Sequence, residues 1–373
     1  MRGYTVEKTM TEALNTLPRL SFRWLGLNHF SFQDEIQIAI KPYTERYLPT
    51  DFDSSLILHA IPGSLDQKGI LPREAFGVSK ELVELTKENP NGGFYLEVPQ
   101  GKRILEPLYV QYRLSDENDT LLDQSIIVAQ EKSEITVVVE YLTTSKSPVF
   151  HHGLTKIVAA DGAKVNLIKL QRLGANSVHL DSHYVNVGPY GSVRYVQVEL
   201  GSKYAITNYL GRVAENGTAN VDAMYLGNQE QVLDLSYHMI HDGYRSESDI
   251  LVRGALKDKA RKVFRGTLDF KRGARLANGN EEEHVLLLDP TVKSDAIPLL
   301  LSEEDDVQGG HAASAGKADP ELLFYLMSRG LNEEEATTEV VKASFQPVLD
   351  LLPAGLRKDI ENELGRKLVY AHA

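Results

Sequence analysis

From Phe94 to about Val307 apolar and polar positions alternate with a period of two, in short runs. The clearest are Glu134 to Tyr141, Lys164 to Leu170, Ser192 to Val198 and Asn220 to Leu226. β-Branched and aromatic residues at that period predict strands, and helical periodicity is nearly absent throughout the stretch. Three of the runs follow a small-residue turn: Asp161-Gly162-Ala163, Tyr190-Gly191-Ser192 and Asn216-Gly217-Thr218; the first follows Lys132-Ser133. Positions 133, 162, 191 and 217 lie 29, 29 and 26 residues apart, and a second strand falls between each pair, as at Val178 to Val187 and Tyr204 to Val213. A repeated strand–turn–strand unit fits stacked coils of a β-solenoid, in which each unit buries its apolar face on its neighbours. An antiparallel sandwich of similar hairpins is the alternative.

The flanks read differently. Residues 1–92 are mixed, with a short helix expected after Ser79 and ending before Asn89-Pro90-Asn91-Gly92-Gly93; Pro72 to Ala75 lies upstream of it. Residues 93–317 form the expected β core and residues 318–373 a helical region. There Asp319-Pro320 supplies an N-cap and first helical residue, and Gly330 a stop. Asn332 caps the next helix, whose first turn holds Glu333 to Glu335. Pro347 and Pro353 are expected to punctuate the chain beyond it, with a last amphipathic helix over Leu356 to Leu368.

Composition narrows the function. Of 373 residues 42% are hydrophobic, enough for a core, and the formal charge of -12 argues against nucleic acid as a partner. With no cysteine there is no disulfide and no thiolate to bind metal or act as nucleophile. The first twenty residues lack an apolar signal region, and runs such as Ile135 to Val139 are too short to cross a bilayer. A cytoplasmic protein without membrane contact is expected.

Candidate catalytic motifs fail on detail. Gly309 to Ala318 resembles a phosphate-binding loop, but five residues separate Gly310 from Gly316-Lys317, and Ala318 stands where a hydroxyl must hold magnesium. The histidine pairs His151/His152, His179/His183 and His238/His241 read as strand histidines of a solvated sheet. The basic run Lys259 to Arg265 reads as a solvated turn, and no nucleophile elbow is present. An enzyme is not expected.

The order of segments resembles the SufD family, and its paralogue SufB, of the Suf iron–sulfur cluster assembly system. The resemblance begins near Asn91-Gly92-Gly93, Pro99-Gln100-Gly101 and Glu106-Pro107-Leu108. It is sharpest over Ile297 to Leu301, Asp305-Asp306-Val307, Gly310 to Gly316 and Leu323 to Gly330, and covers roughly residues 90 to 350. It departs at Ala312, where the family has Gly, and around Ser314, where it has Thr; the lack of cysteine favours the SufD side. The resemblance implies a right-handed parallel β-helix core with a mixed N-terminal region and an α-helical C-terminal region. It implies a scaffold subunit that pairs with a SufB-like paralogue, here through Val285, Leu286, Leu287, Leu288, Leu299, Leu300 and Leu301. It also implies docking of a SufC-like ABC-type ATPase on the helical tail, here through Val340, Val341, Phe345, Pro347 and Leu349, since a short tail has little core of its own. His311 matches the family histidine at the interface where a nascent Fe–S cluster is shared with the partner, none being bound by this chain alone. Two other readings stay open. One is an intracellular β-helix homodimer without a cluster role; the other is a carbohydrate-active β-helix enzyme.

Overall fold

A computed structural model describes residues 6–10, 12–19, 23–32, 35–61, 75–144 and 146–368; Pro72 to Glu74 lie outside them. The N-terminal region holds β1 (Val6–Met10), β2 (Ile36–Ile40), β3 (Arg46–Tyr47), β4 (Ile57–Ala60) and helix α1 (Lys80–Glu88). The Ser79 side chain caps α1 by accepting from the Leu82 N–H, and Asn89 ends it. Sixteen strands come next: β5 (Gly92–Val98), β6 (Leu108–Leu114), β7 (Thr120–Ala129), β8 (Glu134–Thr143), β9 (Phe150–Ala159), β10 (Lys164–Arg172), β11 (Val178–Val187) and β12 (Ser192–Glu199), then β13 (Tyr204–Val213), β14 (Thr218–Gly227), β15 (Val232–His241), β16 (Glu247–Leu256), β17 (Arg261–Phe270), β18 (Asn278–Leu287), β19 (Lys293–Ser302) and β20 (Gln308–Gly316).

These strands alternate between two nine-stranded sheets, so that β8, β10 and β12 lie side by side in one and β9, β11 and β13 in the other. Lys164 pairs with Glu134 and with Ser192, in parallel. The chain is therefore a parallel β-helix and not a sandwich. The turn spacing arises at one corner, where Lys132, Gly162, Tyr190, Asn216, Arg245 and Leu276 all adopt positive φ between 53° and 65°. Each such residue donates its N–H to the corresponding turn of the next coil, as Gly162 does to Pro189 at 2.9 Å and Asn216 to Tyr244 at 2.9 Å. Of these corner residues only Gly162 and Asn216 tolerate that left-handed conformation well; the small Gly191 and Gly217 beside the corner are there because a Cβ would lie within 3.0–3.2 Å of carbonyl oxygens of their own turn and of the preceding coil.

Through the middle coils both sheets are covered on both faces. Inside the coil, stacked apolar side chains such as Val137, Val165, Val193 and Ala219 form a continuous core. On the outer face of the sheet containing β8 to β16 lie α3 (Glu333–Leu349) and α4 (Ala354–Leu368). Val341, Phe345, Val348, Leu349, Ile360 and Leu364 pack there on Ile168, Leu170, Val196 and Met224. The opposite sheet is covered by the N-terminal region, through Leu14, Ile38, Leu82 and Leu85 on Leu180 and Ile206. Full coverage explains why a strand such as β10 reads as an almost continuous apolar run rather than a clean alternation.

The tail departs from expectation at Pro347, and its first helix stands free of the core. Helix α2 (Pro320–Ser328), capped by Asp319, buries none of its residues. Helix α3, closed at its start by an Asn332/Glu335 capping box, runs on past Pro347 because Val348 and Leu349 are anchored on the sheet. Helix α4 is fastened by Arg172, which bonds Glu140 and Glu363, each at 2.6 Å, and by Lys367, which donates to the Leu200 carbonyl at 2.6 Å. Val341, Phe345 and Leu349 are therefore core residues of the flank. Phe345→Ala is expected to destabilise the protein by about 3–5 kcal/mol, read from chemical denaturation tracked by circular dichroism; a loss near zero would mean that the tail does not pack on the sheet.

Candidate functional site

The two ends of the coil are unlike. At the first end β3 lies antiparallel on β6, and β4 antiparallel on β5, so irregular strands close both sheets. At the other end β19 and β20 are the last members of their sheets. Among the described residues no strand covers the outer edge of either. Gln308 donates its N–H to Ala277 at 2.8 Å. By alternation along the strand, the backbone groups of Gly309, His311, Ala313 and Ala315 then face the open edge.

Parallel register also fixes the side-chain directions. Gly279, Glu281, Glu283 and Val285 of β18 are buried, facing the interior. Their partners on β20 are Gly309, His311, Ala313 and Ala315. His311 thus projects from the inward face of the uncapped coil, exposed and flanked by small residues. Leu300 is exposed at this end and packs over Gly309. Leu299 and Leu301 are half-buried on the outer face of β19. Val285 is buried in the interior core one layer down; Leu287 packs against that core, and Leu286 and Leu288 against the helical flank. On the tail, Val340 is half-buried and Pro347 is exposed. Pro347 lines a cleft of about 570 Å³ with Arg253, His284, Ser314, Lys317 and Ser344. Among the described residues the large apolar side chains exposed on the tail are Leu322, Phe324, Tyr325 and Met327 of α2.

The interior carries chemistry that the sequence did not reveal. The histidines are not in a solvated sheet: His151, His152, His179, His183 and His241 are all buried. Inside the coil His151 bonds Asp123 at 2.6 Å and His179 at 2.8 Å. Lys169 spans the interior to both oxygens of Asp181 at 2.9 Å, and His183 lies 3.0 Å from the same carboxylate. Further along, Gln197 bonds Tyr237 and Thr207, each at 2.7 Å, and Lys262 bonds Glu283 at 2.7 Å.

Burial alone would raise the Asp181 carboxyl, but the charges of His183 and Lys169 hold it well below its ordinary value. Burial pushes Glu199 up to about 8. Glu281, 3% exposed, has no hydrogen-bond partner on either oxygen, and burial with the charge of Glu283 pushes it up to about 8. On the outer face, beneath α1, His152 sits between Thr86 at 2.6 Å and Ser182 at 2.9 Å. No group of three or more histidine, aspartate or glutamate side chains is placed to hold a metal ion among the described residues. The overlooked signal was a polar residue at an inward position of an apolar strand, such as Lys169 beside Leu167.

Comparison with known proteins agrees with this geometry. Residues 112–344 match the SufBD core domain of the SUF system for FeS cluster assembly. The chain is 33% identical over 300 residues to the iron–sulfur cluster assembly protein SufD of Bacillus subtilis, covering 77% of this chain and 67% of that protein. It is 28% identical over 348 residues to an iron–sulfur cluster assembly SufBD family protein of Staphylococcus haemolyticus, covering 85% and 73%. A SufBD family protein of Staphylococcus epidermidis is 27% identical over 348 residues, with the same coverage of 85% and 73%.

The buried histidines set a pH dependence. Burial lowers His152 to about 3, so it stays neutral in the folded protein while the unfolded chain takes up a proton below about pH 6.5. Its contribution is complete above that pH and is lost as pH falls toward 3; at pH 5 the loss is about 2 kcal/mol. Glu199 and Glu281 titrate in the opposite sense, so the comparison is made between variants. His152→Asn should reduce the difference in stability between pH 7.5 and pH 5 by about that amount, measured by urea titration at the two pH values. An unchanged difference would show that His152 is protonated equally in both states.

Proposed function

The chain belongs to the SufBD family of the SUF system for iron–sulfur cluster assembly, and from that premise we propose that it is a non-enzymatic scaffold subunit that pairs end to end with a SufB-like paralogue. The observation that supports this reading is the unclosed end: two edge strands, β19 and β20, meet no cap among the described residues while the opposite end is closed. Edge strands left open invite a strand from another chain. The Gly- and Ala-rich β20 lets a partner backbone approach closely, and Leu299, Leu300 and Leu301 supply apolar contact beside it. In this reading His311 stands at the junction as an imidazole ligand for iron of the nascent cluster, which is cargo of the complex, with thiolate supplied by the partner. A SufC-like ATPase docks on the tail through the exposed side chains of α2, together with Val340 and Pro347, rather than through the buried Val341, Phe345 and Leu349. The same open end also fits a homodimer when the paralogue is absent. The carbohydrate-active alternative loses its ground with the family assignment.

The Ala313 N–H faces the open edge, so Ala313→Pro removes a donor offered to a partner and breaks no bond within the chain. Co-purification with the SufB-like paralogue should fall at least tenfold while thermal unfolding of the isolated variant stays unchanged. Pairing at the wild-type level would refute strand addition at β20. His311→Ala should leave folding and pairing intact and slow cluster assembly by the reconstituted complex at least tenfold; assembly at the wild-type rate would make His311 structural.

A further inference from the structure

We infer that Glu281 is a second metal donor at the open end, forming with His311 a two-residue half-site for a divalent first-row metal ion that the pairing chain completes. The inference rests on the proposed role of His311 and adds to it a residue from the layer beneath. Glu281 is buried, yet neither of its carboxylate oxygens has a hydrogen-bond partner. Leaving a buried polar group unpaired is costly. Its neighbour on the same inward face shows the ordinary solution: Glu283 is matched by Lys262 at 2.7 Å and by Tyr225 at 3.3 Å.

Room for the Glu281 carboxylate comes from a missing side chain. A Cβ on Gly266 of β17 would collide with all three carboxylate atoms, so any larger residue there would displace the group. Parallel register then sets His311 directly over Glu281, one strand spacing of about 4.8 Å away. Gly309 and Ala313 occupy the inward positions on either side of His311 and leave its ring uncrowded. One carboxylate and one imidazole on adjacent rungs, facing the same way, form a donor set that suits ferrous iron, manganese or zinc. Two donors leave most of the coordination shell open. Among the described residues no third donor joins them, so water or the chain that pairs across the end supplies the rest.

Cobalt(II) is the test probe, titrated anaerobically into the purified full chain with histidine rings isotopically labelled. In the wild type, binding should broaden the His311 ring resonance, assigned by its absence from His311→Ala. Glu281→Gln keeps the shape and removes the ligand charge; it should weaken cobalt binding at least tenfold without lowering the unfolding midpoint. Gly266→Ala, which leaves both donors present but displaces the carboxylate, should weaken binding similarly. His284→Ala should not, although His284 and Glu282 form a surface pair at 2.5 Å. Wild-type cobalt affinity in Glu281→Gln, with His311→Ala impaired, would overturn this inference and leave the proposed role of His311 standing. A Glu281→Gln variant that loses paralogue pairing but keeps cobalt binding would overturn it too, because Glu281 would then answer a cation of the partner. A marked drop in its unfolding midpoint would likewise identify Glu281 as structural.

Discussion

The left-handed corner residue, repeated once per coil, is the constraint on which the other features depend. Each corner N–H donates to the turn of the next coil, so neighbouring coils cannot slip by a residue without breaking the whole ladder. With register locked, every inward side chain stacks on its equivalent one coil away. That is the condition under which buried charges can be matched at all. Lys169 finds Asp181 across the interior, and Lys262 finds Glu283, only because both sheets hold their phase over many turns. A slipped coil would leave these charges buried and unpaired, at a cost of several kcal/mol for each.

Much of this was legible in the sequence because the corner has a chemical signature. Gly162, Asn216 and the small residues beside Tyr190 mark it at near-constant spacing, and the runs between them alternate. The capping residues Ser79, Asp319 and Asn332 were legible for the same reason: they act locally, through backbone groups within three residues. Links between residues far apart in sequence were not legible. His151 and His179 looked like surface histidines because strand parity distinguishes two faces but cannot say which faces inward. Phe345 and Leu349 looked available for a partner because nothing near them in sequence announces Ile168 or Met224 as their cover. Glu281 gave still less away: it stands in a run, Glu281 to Glu283, that reads as solvated charge.

The coverings explain how one chain can be rigid and still present working surfaces. Each sheet has an inner face filled by its own stack and an outer face shielded by a terminal region. The N-terminal cover is tied down by Asn15, which donates to Asp234 at 2.7 Å, and by the Leu27 carbonyl, which accepts from Arg265 at 3.1 Å. The C-terminal cover is held by Phe345 and Arg172. Two surfaces that these coverings leave open are helix α2 and the final coil. Motion imposed on the tail would be passed to the sheet through α3 and α4 rather than absorbed by a loose linker.

The unlike ends also govern what kinds of assembly are open to the chain. A stack of parallel strands with two open ends would be a seed for fibres, since each added copy would offer a fresh edge identical to the last. Here the antiparallel pairs β3–β6 and β4–β5 present strands of the wrong direction and only two to four residues in length. Among the described residues head-to-tail addition finds no matching template. In the proposed pairing two chains of this architecture meet open end to open end, and the pair then offers no further β19 or β20 edge. On that proposal growth would stop at two, because the coil edges that the fold leaves bare would be consumed in forming the pair.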